Sequence, residues 1–354
     1  MVDKYRMDGS KLLWQMDRVH DHFRDNKRIY PLHIDMGVSN FCNAKCVYCY
    51  AIHQKMTGTM IPRNILLNIF KDAPDLGIKS ITITGDGEPT LNPAIYDAVR
   101  IGKEKGLDIG FATNGILLNN SQMVRLLRSC SWIRFNLSAA DRESYIKIHG
   151  VDKWDIVSAN IRAMVEIKKM LGVNTTIGLQ MVLIPEAFDQ IHPASLFSIA
   201  AGVDYFVIKQ YGNPGCAGMV QFDFDLYDAM VVELHKAEQL STDKTKIIPK
   251  YIHISSKGTR NYDHCLDLPL LFQISGTGKC YVCSFLFRKE EYCYGDLNKQ
   301  TLKEIFDSEH YWSIIKKMRY DYSVRKNCVG ECRHNACNGF LNDYLNPPEH
   351  LSFI

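Results

Sequence analysis

Apolar runs bounded by turn residues recur along the first two thirds of the chain, at Leu32–Met36, Ser80–Thr84, Asp108–Thr113, Trp132–Leu137, Thr175–Leu183 and Tyr205–Lys209. Runs of this length and composition predict buried strands. Between them the apolar residues move to helical spacing: Ile65, Leu66, Ile69 and Phe70 after Pro62, Ile95, Ala98, Val99 and Ile101 after Pro93, then Ile156 through Met170 and His192 through Ala200. Strand followed by helix, six times over, predicts an α/β chain with a parallel sheet and helices on its outer face. Six units make a partial (β/α)6 barrel, and chemistry in such a fold gathers at the C-terminal strand ends.

Beyond about Tyr211 the alternation stops. A helical stretch at Leu226–Leu240 leads to a cysteine-rich region with a turn at Gly295-Asp296-Leu297 and a helix over Thr301–Met318. The expected organisation is a helical extension over residues 1–30, a barrel over 31–215, and a linker helix with a small cysteine-rich domain over 216–354.

Composition narrows the class. The chain has 354 residues, 46% hydrophobic and 23% charged, which is the profile of a globular protein. A net charge of +3 with balanced signs and only short basic stretches gives no footprint for nucleic acid. No run approaches the roughly 18 apolar residues of a membrane span, and the first residues lack the apolar segment of a secretory signal, so a cytoplasmic protein is expected.

Twelve cysteines are many for such a chain, and they cluster. Cys42, Cys46 and Cys49 fall within eight residues; Cys265, Cys280, Cys283, Cys293, Cys328, Cys332 and Cys337 crowd the last third; Cys130 and Cys216 stand apart. Clustered thiols in a large chain without a secretory signal point to metal ligation rather than disulfides. The first trio follows the first strand in the order CxxxCxxC. Three ligands are one too few for a closed zinc or cubane site, so either a distant fourth ligand such as His53 completes a zinc site or one iron stays open.

The trio is followed by Tyr50 and sits just after the first strand of a βα repeat, and in this it resembles the radical SAM superfamily. Three later strand ends carry related motifs: Gly85-Asp86-Gly87-Glu88-Pro89 resembles the family's GGE with Asp86 in place of its first glycine, Phe111-Ala112-Thr113-Asn114-Gly115 ends in TNG, and Asn136 stands where relatives often have serine. The resemblance implies a [4Fe–4S] cluster on Cys42, Cys46 and Cys49 whose open iron binds S-adenosylmethionine. It further implies cofactor contacts from Tyr48, Asp86, Gly87, Glu88, Asn114 and Asn136, with Gln180 on the fifth strand as another candidate. The activity implied is reductive cleavage of S-adenosylmethionine to a 5′-deoxyadenosyl radical that abstracts hydrogen from a substrate C–H bond, the electron coming from a flavodoxin or ferredoxin.

The C-terminal order of cysteine, Gly278-x₄-Cys283, a Gly-Asp-Leu turn, a helix and closely spaced cysteines resembles the auxiliary-cluster extensions called SPASM or twitch domains. That implies one auxiliary [4Fe–4S] cluster on Cys265, Cys283, Cys328 and Cys332, with Cys337 as a substitute ligand; a Cys₄ zinc site is the alternative. Cys280, Cys293 and Cys216 remain as candidate hydrogen-atom donors, although free cysteines are usually buried and inert.

About thirty residues precede the first strand, too few for a separate peptide-recognition domain. The expected substrate is therefore a small polar molecule such as an amino sugar or nucleoside, in an oxidation or epimerisation. The alternatives are a peptide- or protein-modifying maturase and a non-catalytic zinc or iron–sulfur module.

Overall fold

The computed structural model describes residues 4–5, 8–54, 56–212, 224–251, 260–328, 332, 334–350 and 352–353. Its six expected strands are β1 (His33–Met36), β2 (Ser80–Ile83), β3 (Asp108–Thr113), β4 (Trp132–Asn136), β5 (Thr176–Leu183) and β6 (Tyr205–Gln210). They pair in parallel in sequence order, each within two residues of the run that predicted it.

The sheet extends further than the sequence pattern foretold. β7 (Lys246–Pro249) adds in parallel beyond β6, and β8 (Leu271–Ile274) adds in parallel on the other side of β1. The antiparallel strands β9 (Lys279–Tyr281) and β10 (Cys293–Asp296) complete that edge. The order is β10-β9-β8-β1-β2-β3-β4-β5-β6-β7, an open curve rather than a closed ring. The cysteine-rich region thus continues the barrel's own sheet.

Alternation with a period of two divides the sheet into an apolar and a polar face. On one face Met36, Ile83, Phe111, Ile133 and Ile177 form a cross-strand row, and Phe135, Leu179, Phe206 and Ile247 form the next. All are essentially inaccessible, and helices cover them. The opposite face carries the buried polar residues Asp35, Thr82 and Gln180 and the half-buried Asn136. A polar lining inside an otherwise apolar fold is where a ligand would be held.

The helices begin and end on local signals. α1 (Met16–Phe23) precedes the sheet, and the crossovers begin with α2 (Tyr50–His53) and α3 (Arg63–Asp75) after β1 and α4 (Ile95–Glu104) after β2. α5 (Asn120–Ser129) starts on a reciprocal cap between Asn119 and Gln122, and α6 (Arg142–His149) on Asp141, whose carboxylate accepts from the Ser144 N–H. α7 (Trp154–Leu171), α8 (Ile191–Ala201) and α9 (Phe224–Gln239) follow.

The helix expected over 301–318 is two helices, α10 (Leu302–Asp307) and α11 (Glu309–Tyr320). Ser308 breaks it, because its hydroxyl accepts from the Tyr311 N–H and starts a new helix. α12 (Val324–Asn327) and α13 (Asn335–Leu345) end the chain. Val19 and Phe23 of α1 pack with Leu266, Leu270 and Leu341 in a second apolar cluster, which fastens the N-terminal segment to the C-terminal one.

Candidate functional site

The ends of β8, β1 and β2 meet so closely that side chains are excluded. A Cβ on Gly37 would lie 2.4 Å from the Asp86 carboxylate and 2.7 Å from the Gly276 nitrogen. One on Gly87 would lie 2.3 Å from the Ser39 carbonyl oxygen and 2.5 Å from that of Phe41. The loop from Gly37 to Cys49 is thereby pressed onto the end of β2, and the Glu88 N–H donates to the Phe41 carbonyl at 2.8 Å.

Asp86 is buried and its carboxylate is fully engaged. Oδ1 accepts from the Gly276 N–H at 2.7 Å, while Oδ2 accepts from Asn40 Nδ2 at 2.6 Å and Ser275 Oγ at 2.8 Å. Burial still pushes its carboxyl above the ordinary range. The side chain is a tie between three strand ends, so any contact it makes to a ligand comes through its backbone.

Glu88 is equally enclosed. Oε1 accepts from the hydroxyls of Thr113 at 2.6 Å and Thr90 at 2.7 Å and from the Thr90 N–H at 3.1 Å, and Oε2 accepts from the Asn114 N–H at 2.8 Å. Burial raises its pKa as well. The β2 and β3 motifs are thus one hydrogen-bonded unit, and it reaches the cysteine loop: Asn114 Nδ2 donates to Asn43 Oδ1 at 2.7 Å and toward Cys42 Sγ at 3.8 Å.

Cys46 meets a residue that the sequence reading missed. His149 Nδ1 lies 3.2 Å from Cys46 Sγ, and its Nε2 accepts from the buried Ser138 N–H at 3.1 Å. Burial holds the imidazole neutral, with its pKa lowered to about 3. Both ring nitrogens are committed, so His149 is no fourth metal ligand. The side chain of His53, the other histidine candidate, lies outside the described residues.

Tyr48 closes the unit from below. Its hydroxyl accepts from Asn136 Nδ2 at 2.8 Å, and Asn136 Oδ1 faces Gln180 Nε2 at 3.4 Å. The structure therefore brings together Tyr48, Asn136 and Gln180 in one group and Cys42, Glu88 and Asn114 in another, both around the cysteine loop.

The three thiols fit an iron–sulfur group by their chemistry. Burial pushes Cys42 up to about 11 and raises Cys46 and Cys49, whose charges oppose one another. Thiolates here need a cation to compensate, and N–H donors from Asn114 and His149 already face two of the sulfurs. Among the described residues no three His, Cys, Asp or Glu side chains converge as around a single metal ion.

A second thiol set lies beside β8 and β9. Cys332 shares a hydrogen bond with Cys328 and has Cys265 and Cys283 as charged neighbours. Burial raises Cys265 and Cys283 in turn, Cys283 to about 12. N–H donors face these sulfurs too: Arg260 Nη2 toward Cys328 at 3.8 Å, Asn338 Nδ2 toward Cys265 at 3.9 Å and the His334 N–H to Cys332 at 3.4 Å. Behind them His334 and Asp267 form a buried pair at 2.9 Å. The position of each two residues from a candidate ligand was the available sequence signal.

Cys337 sits in the first turn of α13. Cys280 and Cys293 are buried neighbours in the β9–β10 hairpin, and Cys130 is a core residue. Cys216 lies outside the described residues.

Comparison with known proteins agrees with this geometry. The model of the radical SAM superfamily matches residues 36–193, and that of the SPASM iron–sulfur cluster-binding domain matches 265–338. A tungsten-containing aldehyde ferredoxin oxidoreductase cofactor-modifying protein of Pyrococcus furiosus is 22% identical over 83% of this chain and 86% of its own.

Among solved structures, Streptococcus suis SuiB bound to its precursor peptide SuiA superposes with a TM-score of 0.68 at 16% identity, over 94% of this chain and 78% of that one. SuiB bound to S-adenosylmethionine gives 0.67 at 18%, over 88% and 74%. anSMEcpe with bound AdoMet and the Cp18Cys peptide gives 0.60 at 16%, over 81% and 83%. At such identities the likeness is one of fold. The two matched domains fall on the two thiol sets, and the chain belongs to the radical SAM superfamily, with a SPASM iron–sulfur cluster-binding domain at its C-terminal end.

Proposed function

We propose that this radical SAM enzyme oxidises a residue of a peptide or protein, holding its S-adenosylmethionine-binding [4Fe–4S] cluster on Cys42, Cys46 and Cys49 and an auxiliary cluster on Cys265, Cys283, Cys328 and Cys332. When bound, the first cluster supplies one electron and an open iron, and the second accepts the electron that the substrate gives up. The first cluster's electron would serve the reductive cleavage of bound S-adenosylmethionine and hydrogen abstraction from a substrate C–H bond, and loss of a further proton, with an electron passing to the second cluster, would leave an oxidised product.

The observation that carries the reading is the joining of the cysteine loop to Glu88, Asn114 and Asn136 at the ends of β2, β3 and β4. Those side chains fix one another and the loop, so the strand ends present backbone oxygens and amides already set in place, which is where preorganisation matters most. Gly87, with no Cβ, lets the cysteine loop close onto that backbone.

For the substrate, the fold likeness to SuiB and anSMEcpe, both solved with peptides, favours the peptide alternative over a small polar molecule. The small-molecule expectation draws on the short segment before β1 and on analogy with the C-terminal cysteine pattern of related enzymes. The sheet, with β7 and β10 as its edges among the described residues, suits a large substrate. A low-potential ferredoxin or flavodoxin in a reducing cytoplasm is the electron source this chemistry needs; no described helix is long and apolar enough to cross a membrane.

The test is anaerobic reconstitution followed by incubation with S-adenosylmethionine, reductant and candidate peptides encoded beside the gene. Formation of 5′-deoxyadenosine coupled to a peptide lighter by a hydrogen pair is the expected result. Turnover with sugars or nucleosides and no change in any peptide would overturn the peptide reading.

A further inference from the structure

We propose that His149 is a positioning residue for the electron-transfer step, donating Nδ1–H to the Cys46 sulfur and thereby making the cluster on that sulfur easier to reduce. The inference rests on the reading that Cys46 ligates the cluster.

The direction of the bond follows from the partner on the other side of the ring. Ser138 N–H is a backbone donor, its residue is fully buried, and the acceptor it meets is His149 Nε2 at 3.1 Å. An imidazole nitrogen that accepts carries no proton, so the single proton of the neutral ring is on Nδ1. Nδ1 faces Cys46 Sγ at 3.2 Å, and the histidine is therefore the donor and the sulfur the acceptor.

The ring has no freedom to leave. It stacks on Tyr145 with centroids 4.4 Å apart at 27°, and meets the edge of Tyr48 at 6.0 Å. The same helical turn grips the cysteine loop through its backbone as well: the His149 carbonyl accepts from the Lys45 N–H and the Ile148 carbonyl from the Val47 N–H, each at 3.0 Å. Gly150, at φ +68°, ends α6 so tightly that a Cβ there would lie 2.6 Å from the Lys45 carbonyl oxygen. The C-terminal turn of α6 is thus a socket that fixes Cys46 in space and sets a dipole against its sulfur.

Hydrogen bonds to cluster sulfurs withdraw electron density from iron and raise the reduction potential. S-adenosylmethionine cleavage needs the one-electron-reduced cluster, so a residue that eases that reduction acts on the step without touching substrate.

The experiment compares His149→Leu with His149→Asn in the reconstituted holoenzyme. Leucine removes both ring functions. Asparagine restores an N–H near the position of Nδ1 but offers Ser138 nothing at the position of Nε2. The readouts are the EPR-monitored reduction midpoint of the cluster whose signal changes on adding S-adenosylmethionine, and the melting temperature of each protein.

Both variants should melt lower by similar amounts, since both orphan the Ser138 amide. Only His149→Leu should lose roughly tenfold in reduced cluster at fixed solution potential, a shift of about 59 mV for a one-electron couple. Equal potentials in the two variants would reduce His149 to a structural role and overturn the proposal. If His149→Leu binds no cluster, His149→Gln takes its place, since its amide oxygen can accept from the Ser138 N–H while Cys46 loses its donor: a lowered potential is expected and an unchanged one overturns the proposal. Full iron content in Cys46→Ala would instead sink the assignment of Cys46 as a ligand, which is a separate failure.

Discussion

Asn136 donates its side-chain amide to the hydroxyl of Tyr48 at 2.8 Å, joining the end of β4 to the middle of the cysteine loop. Tyr48 is buried, and its Cys46 and Cys49 neighbours make the phenol still harder to ionise than burial alone does. Tyr48→Phe keeps the packing and removes the hydroxyl, which besides accepting from Asn136 pairs with Cys46 and lies 3.5 Å from Ser138 Oγ. The orphaned Asn136 amide should cost about 1–3 kcal/mol, read as a lower melting temperature. Iron and sulfide content should hold, while 5′-deoxyadenosine formation falls several-fold because Asn136 is free to turn away. Unchanged turnover would mean the bond serves stability alone.

Gly87→Ala tests how the loop is pressed onto β2. Its Cβ would collide with the carbonyl oxygens of Ser39 and Phe41, and neither is a side chain that can swing aside. The loop must withdraw, breaking the bond from the Glu88 N–H to the Phe41 carbonyl. The variant should keep its circular dichroism yet lose about half its iron, the share on the first cluster. Full iron incorporation would show that the loop tolerates the shift.

The barrel strands were legible because each is an apolar run closed by a turn residue, and the motif loops followed from the strand ends. β7, β8, β9 and β10 were not: they are as short as β1 and β2 but lie outside the strand–helix alternation that marks those two. That β8 lies beside β1 is a pairing across more than two hundred residues, which no local periodicity encodes. The site divides in the same way. Motif spacing pointed to Cys42, Glu88, Asn114 and Asn136, but His149 followed by Gly150 reads only as a helix end. Its meaning comes from Cys46, 103 residues earlier. Asp86, expected to face the cofactor, turned its carboxylate toward Ser275 and Gly276 on the far side of β1.

His22 gives the N-terminal attachment a pH dependence. Its Nδ1–H donates to the Lys27 carbonyl at 3.0 Å, and its Nε2 faces Arg319 at 3.5 Å while the ring lies against Trp312. Burial lowers its pKa, and the Arg319 charge lowers it further against the carbonyl's opposing pull. A base whose folded pKa lies below the unfolded 6.5 binds fewer protons folded than unfolded, so stability is full above about pH 6.5 and declines as pH falls below it. The slope there is at most about 1.4 kcal/mol per pH unit. Urea unfolding of wild type and His22→Phe at a series of pH values should give a flatter profile for the variant between about pH 5 and 7. Parallel profiles would place the acid sensitivity elsewhere.

Asp86 makes the sharpest contrast between two substitutions. Asp86→Gly rebuilds the glycine of the family triplet but leaves Asn40, Ser275 and the Gly276 N–H without their shared acceptor. Each buried donor left without its acceptor costs about 1–3 kcal/mol. Asp86→Asn keeps the shape, loses at most one of the three bonds to a donor–donor clash, and sheds the burial that raises the carboxyl's pKa. Its cost should stay within about 2 kcal/mol. Hydrogen exchange gives the local readout: the Gly276 amide should be protected in wild type, partly in Asp86→Asn, and exposed in Asp86→Gly. Because Gly276 follows β8, that loss would also loosen the strand that lies between Cys265 and Cys283 in the chain. Iron on the second thiol set should fall in the glycine variant before the barrel itself unfolds. Equal Gly276 protection in all three proteins would show that β8 is held to β1 by its ladder alone and that the carboxylate is dispensable there.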